Sequence, residues 1–229
     1  MKRSELNGII GSAIEFMNGR RVPLPPFAYW KKDDWTAAGA ECREIVDNML
    51  GWDITDFGSN DFVKVGLLIF TFRNGNFKDK GMYPKPYAEK LLLVGDGQEL
   101  PYHFHWKKME DIINRGGGNL LVELRGSDKE GRFTDDPVPV TVDGRVLKVK
   151  PGESLRLTPG ESITLLPGQY HRLVGEPGTG QVMLFEVSST NDDTVDNRFH
   201  EASGRFPSIV EDVEPTYLIF KDYARYVRP

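Results

Sequence analysis

Between residues 62 and 188 the chain is written as short apolar runs separated by glycine turns. This rhythm restricts the fold more than any other feature of the sequence. The first run, Phe62 to Phe72, is rich in Val, Leu, Ile and Phe and is closed by the turn pair Asn74-Gly75. Runs then recur at Lys90 to Val94, Leu100 to His105, Leu120 to Leu124, Val138 to Val142, Arg145 to Val149, Ser154 to Leu157, Ser162 to Leu166, His171 to Val174 and Gln181 to Ser188. Asp96-Gly97, Asp143-Gly144, Pro151-Gly152, Pro159-Gly160, Pro167-Gly168 and Pro177-Gly178 stand between them. The string PGES begins at Pro151 and again at Pro159, a local rhyme of turn plus short strand. About ten short strands with turns at this spacing predict a β-sandwich or barrel.

The flanks read differently. Leu6, Ile9, Ile10, Ala13, Ile14 and Met17 recur at helical spacing, which predicts an amphipathic helix from about Ser4 to Asn18, stopped by Gly19. The proline-rich VPLPPFAYW should be extended. A second helix is expected from Asp33 or Asp34 to Leu50, burying Ala38, Cys42, Ile45, Val46 and Met49. That face makes Cys42 a packed structural thiol. The polar, then aromatic, tail from Ser189 should wrap the barrel and add a strand at Tyr217 to Phe220. We therefore expect one domain over residues 1–229, with a helical N-terminal layer at 1–60, a β-barrel at 61–188 and a closing tail at 189–229.

At 229 residues the chain can bury a large core. Its net charge of −5, without a basic stripe, argues against a nucleic-acid partner. No apolar run reaches the roughly 20 residues that span a bilayer, so no membrane partner is expected. The N-terminus does not read as a signal peptide. A lone cysteine allows no internal disulfide, which fits a cytoplasmic protein.

Histidines concentrate the chemistry. Two of the four, His103 and His105, are two residues apart and share a face if the run is a strand. Glu110 follows closely. His171 opens a later strand after a Pro-Gly turn, and His200 lies in the polar tail, where a surface or supporting role is expected. Three imidazoles and one carboxylate can form the first shell of a transition metal. Lys90 opens the apolar run KLLLV and either caps the barrel mouth or points into the site. Glu186 sits inside the apolar MLFEVS, where a carboxylate is rarely buried without a task. Asp193 and Arg198, in NDDTVDNRF, either bind substrate hydroxyls at the mouth or form a loop salt bridge. RGGGN at 115–119 lacks the context of a phosphate loop and reads as a flexible turn. KKDDW reads as a solvated face.

The spacing of these residues resembles the cupin superfamily. Gly97, five residues, His103-x-His105, four residues, Glu110, six residues and Gly117 match the first cupin motif at every fixed position. PGQYH, with His171, is similar to the second motif, although Pro167 directly precedes Gly168 and Gly175 stands where Asn is usual. The resemblance implies a small jelly-roll-like barrel holding a divalent metal on His103, His105, Glu110 and His171. Within the superfamily the chain most resembles the D-lyxose isomerases, nearly end to end. The helical N-terminus, YAEKLLLVGDGQELPYHFHWKKMEDIINRGGG and EVSSTNDDTVDNRF carry that likeness. It implies a metal-dependent aldose–ketose isomerase, commonly manganese-activated (Zn, Fe, Ni and Co being alternatives). Its substrates would be the free sugars D-lyxose and D-xylulose, and often D-mannose and D-fructose.

Two open metal positions would take adjacent sugar oxygens and stabilise a cis-enediolate. One base on one face then suffices; Glu186 is the first choice, with Lys90 as its partner. Homodimers are usual for such barrels and one is expected here. An Fe(II) cupin dioxygenase and a non-enzymatic sugar-binding cupin are the rival readings. A phosphosugar isomerase is disfavoured by the absence of a clear basic cluster.

Overall fold

A computed structural model describes residues 1–192, 194–201 and 207–227. Helix α1 (Arg3–Gly19) is followed by α2 (Lys32–Ala37) and α3 (Arg43–Asp47). Fourteen strands follow among the described residues: β1 (Gly51–Thr55), β2 (Leu67–Arg73), β3 (Tyr87–Val94), β4 (Glu99–His105), β5 (Glu110–Gly117), β6 (Leu120–Ser127) and β7 (Phe133–Thr134), then β8 (Val138–Val142), β9 (Arg145–Val149), β10 (Ser154–Leu157), β11 (Ser162–Leu165), β12 (Tyr170–Gly175), β13 (Val182–Ser189) and β14 (Asn197–Phe199). A short helix, α4 (Tyr223–Tyr226), closes the described tail.

The strands form two antiparallel sheets. One has the order β1-β2-β3-β13-β5-β11-β8-β9 and the other β10-β6-β12-β4-β14, with β7 paired to β6. Their facing sides supply a continuous core that includes Leu92, Val94, Leu100, Ile112, Val122, Leu124, Leu173 and Leu184. The outer side of the larger sheet carries a second core. There Leu6, Ile10, Ala13 and Met17 of α1 pack on Trp52, Leu68, Phe70, Leu91, Leu93 and Met183. Full burial of side chains such as Leu6, Ile10 and Met17 contributes roughly 1.5–3 kcal/mol each. Strands β2, β3 and β13 are therefore apolar on both faces. Asp143 and Gly144 both take positive φ, 48° and 76°, which is the turn that joins β8 to β9 with the proper twist.

Several elements differ from expectation. The second helix is broken in two because Ala38 and Gly39 are extended, and the Glu41 side chain takes the Gly39 amide at 3.0 Å. The break lets Trp35 bury against Tyr223 while Cys42, also buried, packs separately. The region 1–60 is not wholly helical, since β1 lies within it.

Residues 110–117, which carry no expected strand, form β5 in the middle of the larger sheet. Its end is not a flexible turn. Gly116 and Gly117 pair with β13 across a bulge, and a Cβ on Gly117 would lie 2.0 Å from the Gln181 carbonyl oxygen. Tyr217 to Phe220 makes only an isolated bridge, Trp52 to Ile219. Asp222 accepts from the Ile219 amide at 3.0 Å and turns the chain into a 3-10 helix instead. The same carboxylate, with Glu211, holds the buried Arg3 guanidinium and ties the tail to α1.

Candidate active site

The site forms between the sheets because β4 changes face midway. Leu100 points into the core, so strict alternation would turn Tyr102 and Phe104 inward and both histidines out. The pairing of β4 with β12 slips instead: His171 lies opposite His103, but Leu173 lies opposite Leu100. Three residues of β4 span two of β12, a β-bulge at Pro101–Tyr102, and it re-aims His103 and His105 into the barrel. Proline is tolerated there because a bulge needs no ladder donor. The bulge also supplies the Pro101 carbonyl that sits 2.9 Å from His103 Nδ1.

Three imidazoles converge. His103 Nε2 and His171 Nε2 are 3.0 Å apart. His105 Nε2 and His171 Nε2 each lie 3.3 Å from Glu110 Oε1. His171 Nδ1 faces the Gln169 carbonyl at 3.1 Å, as His103 Nδ1 faces Pro101. A carbonyl only accepts, so both Nδ1 atoms carry the proton, the two Nε2 lone pairs point at each other, and that of His171 also points at a carboxylate oxygen. Such a set of acceptors repels itself unless a cation lies among them. One donor nitrogen from each histidine lies within 4.8 Å of the others, and all three residues are buried. The donors present thus fit a divalent metal on His103, His105, His171 and Glu110.

Burial, together with the neighbouring His171 and His105, pushes the His103 imidazole well below its ordinary pKa. Burial likewise brings His171 down to about 4. Both are therefore neutral, the state in which an imidazole can ligate a metal. Burial works against the Glu110 carboxylate, yet the Lys108 ammonium beside it holds it well below the usual carboxylate range.

Across the cavity stand further ionisable groups. Glu186 of β13 is paired in register with Lys90 of β3. Both share the inward face with Leu92, Val94, Val182 and Leu184, so parity places them inside. Glu186 Oε1 lies 3.0 Å from Lys108 Nζ, 3.5 Å from Lys90 Nζ and 3.0 Å from Ser188 Oγ. Lys108 also reaches Glu110 Oε2 at 2.5 Å and so joins the histidine cluster to Glu186. A cavity of about 50 Å³ is lined by the three histidines, Glu110, Lys90, Lys108 and Glu186, and by Phe57, Ile69, Leu92, Leu100, Ile112, Leu173, Asn197 and Phe199.

Six of the sequence-predicted residues, His103, His105, Glu110, His171, Lys90 and Glu186, thus meet in one place. Arg198 does not join them. It lies opposite Phe104 on β4, hence on the outer face, and is exposed. Its neighbours Asn197 and Phe199, opposite His105 and His103, face the cavity instead, and Phe199 stacks on His103 at 5.3 Å. Asp193 lies outside the described residues. His200, exposed, stacks on Phe133 at 3.6 Å, away from the cavity. Sequence reasoning missed Lys108. Its only local signal is a lysine pair between the His-x-His strand and Glu110, a pattern that reads as solvated charge.

Among the described residues no helix is long and apolar enough to cross a membrane. The fold is similar to solved sugar isomerases. The L-ribose isomerase of Cellulomonas parahominis aligns over 92% of this chain and 98% of its own, at a TM-score of 0.59 and 18% identity. That of Geodermatophilus obscurus aligns over 89% and 94%, at 0.58 and 15%. These likenesses establish the architecture, a cupin-type β-barrel with an N-terminal helical layer.

Sequence relationships are closer. The D-lyxose/D-mannose isomerase of Serratia proteamaculans is 45% identical over 99% of this chain and all of its own. The D-lyxose/D-mannose isomerase of Escherichia coli O157:H7 is 47% identical over the full length of both. The family profile described as D-lyxose isomerase matches residues 1–223. A match of that extent, joined to relatives of that identity, makes this chain a sugar isomerase and a member of the D-lyxose isomerase family.

Proposed function

We propose that this protein is a metal-dependent aldose–ketose isomerase that interconverts D-lyxose and D-xylulose, and also D-mannose and D-fructose, through a cis-enediol. One observation carries the reading. A four-donor cluster faces a carboxylate, Glu186, across a small cavity, and Lys108 touches both. The names of the relatives, D-lyxose/D-mannose isomerase, support the choice of sugars. D-Lyxose and D-mannose share their configuration at C2 and C3, so one pocket reading those carbons admits both.

A divalent ion held by His103, His105, His171 and Glu110, manganese being the one the family resemblance implies, would polarise the adjacent oxygens on C1 and C2. The chain's own groups do the rest. Glu186 takes the proton from C2 of the open-chain aldose and returns it to C1 of the enediol, both on one face, while the proton of the C2 hydroxyl passes to the C1 oxygen, which leaves the C2 carbonyl of the ketose. Lys108 and Lys90 flank Glu186, so positive charge stands beside the oxygen on which negative charge develops. Phe57, Phe199, Leu100 and Leu173 line the rest of the cavity and keep bulk water from the enediol.

The test is proton exchange. Manganese-loaded protein incubated with D-lyxose in deuterated water should form D-xylulose and place deuterium at C1 of the ketose and C2 of the recovered aldose, both read by NMR. If neither ketose nor exchange is observed, the isomerase reading is wrong.

A further inference from the structure

Lys108 lies in no strand. It belongs to the turn 106–109 between β4 and β5, and its neighbour Lys107 is exposed. Something must turn Lys108 inward, and one residue of the tail accounts for it. The Asp196 main-chain carbonyl accepts from the Trp106 amide at 3.0 Å. Its Oδ1 accepts from the Lys107 amide at 3.0 Å and its Oδ2 from the Lys108 amide at 3.0 Å. Three consecutive amides of the turn are thus held by a single residue, only 4% exposed. Hydrogen bonds to a charged acceptor are about twice as strong as neutral ones, so the clamp is stiff.

Its two consequences converge on the cavity. It sets the Lys108 backbone so that the ammonium reaches Glu186 and Glu110. It also anchors the chain just before Asn197 and Phe199, which line the cavity from β14.

We propose that Asp196 is a positioning residue of the isomerisation: its carboxylate clamps the Lys107 and Lys108 amides and thereby holds Lys108 between the two site glutamates. The inference rests on the roles given above to Glu186 as the base and to Lys108 as the positive charge beside it. Asp196 touches neither the metal donors nor Glu186, so it acts through Lys108.

Asp196→Asn tests it, since asparagine keeps the shape and one acceptor oxygen but turns an N–H donor toward an amide that also donates. Misplacing a catalytic group by about 1 Å costs on the order of a hundredfold. The variant should accordingly lose about tenfold to a hundredfold in kcat on D-lyxose, with KM within about threefold and manganese content as in the parent, while the melting temperature falls by several degrees. Backbone hydrogen exchange at the Lys107 and Lys108 amides should be at least about tenfold faster, and Asp196→Ala should exchange faster still.

Unchanged exchange, or a kcat within about twofold of the parent, overturns the proposal. Loss of metal in step with kcat also overturns it, because Asp196 would then serve the metal cluster. If the parent itself fails to isomerise D-lyxose, the functional reading falls, and the exchange measurement still decides whether the clamp exists.

Discussion

Replacing Glu186 by glutamine separates proton transfer from everything else the site does. The amide has the shape of the carboxylate, and its oxygen can keep the position 3.0 Å from Lys108 Nζ and 3.0 Å from Ser188 Oγ. The donor cluster of His103, His105, His171 and Glu110 Oε1 is not altered. What disappears is the proposed base. General acid–base groups contribute about 10² to 10⁴ in rate. At roughly 1.4 kcal/mol per factor of ten, the barrier should rise by about 3–5 kcal/mol.

The cavity also changes its charge balance. Two carboxylates and two ammonium groups become one and two, which costs stability because a buried charge loses a partner. Initial rates of ketose formation from D-lyxose should therefore fall at least about a hundredfold in kcat, with KM within a few-fold. Manganese content measured on the same sample should equal the parent's, and the melting temperature should drop by several degrees. Deuterium incorporation at C2 should vanish in parallel with turnover. A variant that retains its metal and keeps kcat/KM within tenfold of the parent would refute the assignment of Glu186 as the base.

Three further outcomes follow from the same geometry. His103→Ala and His171→Ala should each lose most of the bound manganese and nearly all turnover. Chelation of the parent should do likewise and be reversed by added manganese; retained metal in either variant would show that the ligands lie elsewhere. The metal-free protein should be acid-sensitive. An unfolded histidine takes its proton near pH 6.5, whereas burial keeps His171 neutral down to about 4, so the unfolded state binds more protons in between and stability falls as pH falls through that window. His171 alone contributes about 3 kcal/mol to that loss, and equal urea midpoints for the chelated protein at pH 7 and pH 4 would contradict it. Ile10→Ala, at a fully buried position of α1, should cost about 2–5 kcal/mol in urea unfolding and leave KM unchanged; a shifted KM would show that the helical layer shapes the cavity.

Much of this molecule is legible in the letters of its chain. Turn pairs such as Asp143-Gly144 need backbone angles that few residues accept, so they announce the hairpins locally. The two-residue spacing of His103 and His105 puts them on one face in any strand. The α1 stripe, Leu6 to Met17, is equally local, because a 3.6-residue period repeats within one element.

Other features depend on contacts that no local pattern records. Strands β2, β3 and β13 are covered by α1 outside and by the second sheet inside, so their apolar runs carry no mark of which face is inner. The parity of Lys90 and Glu186 follows only once the sheet is assembled. The bulge at Pro101 decides that the histidine pair turns inward, and it is visible only in the register against β12. Arg198 stands on the wrong side of β14 for the cavity, while Asn197 and Phe199 stand on the right one, because β14 pairs with β4 in a register set by the tail. Lys108 is the clearest case. In sequence it is half of a lysine pair in a polar turn, and only the carboxylate of Asp196, 88 residues later, folds its ammonium between two buried glutamates. Local backbone preference and periodicity determine where the elements lie and which residues share a face. Long-range hydrogen bonds and two-sided packing decide which of those faces becomes the site.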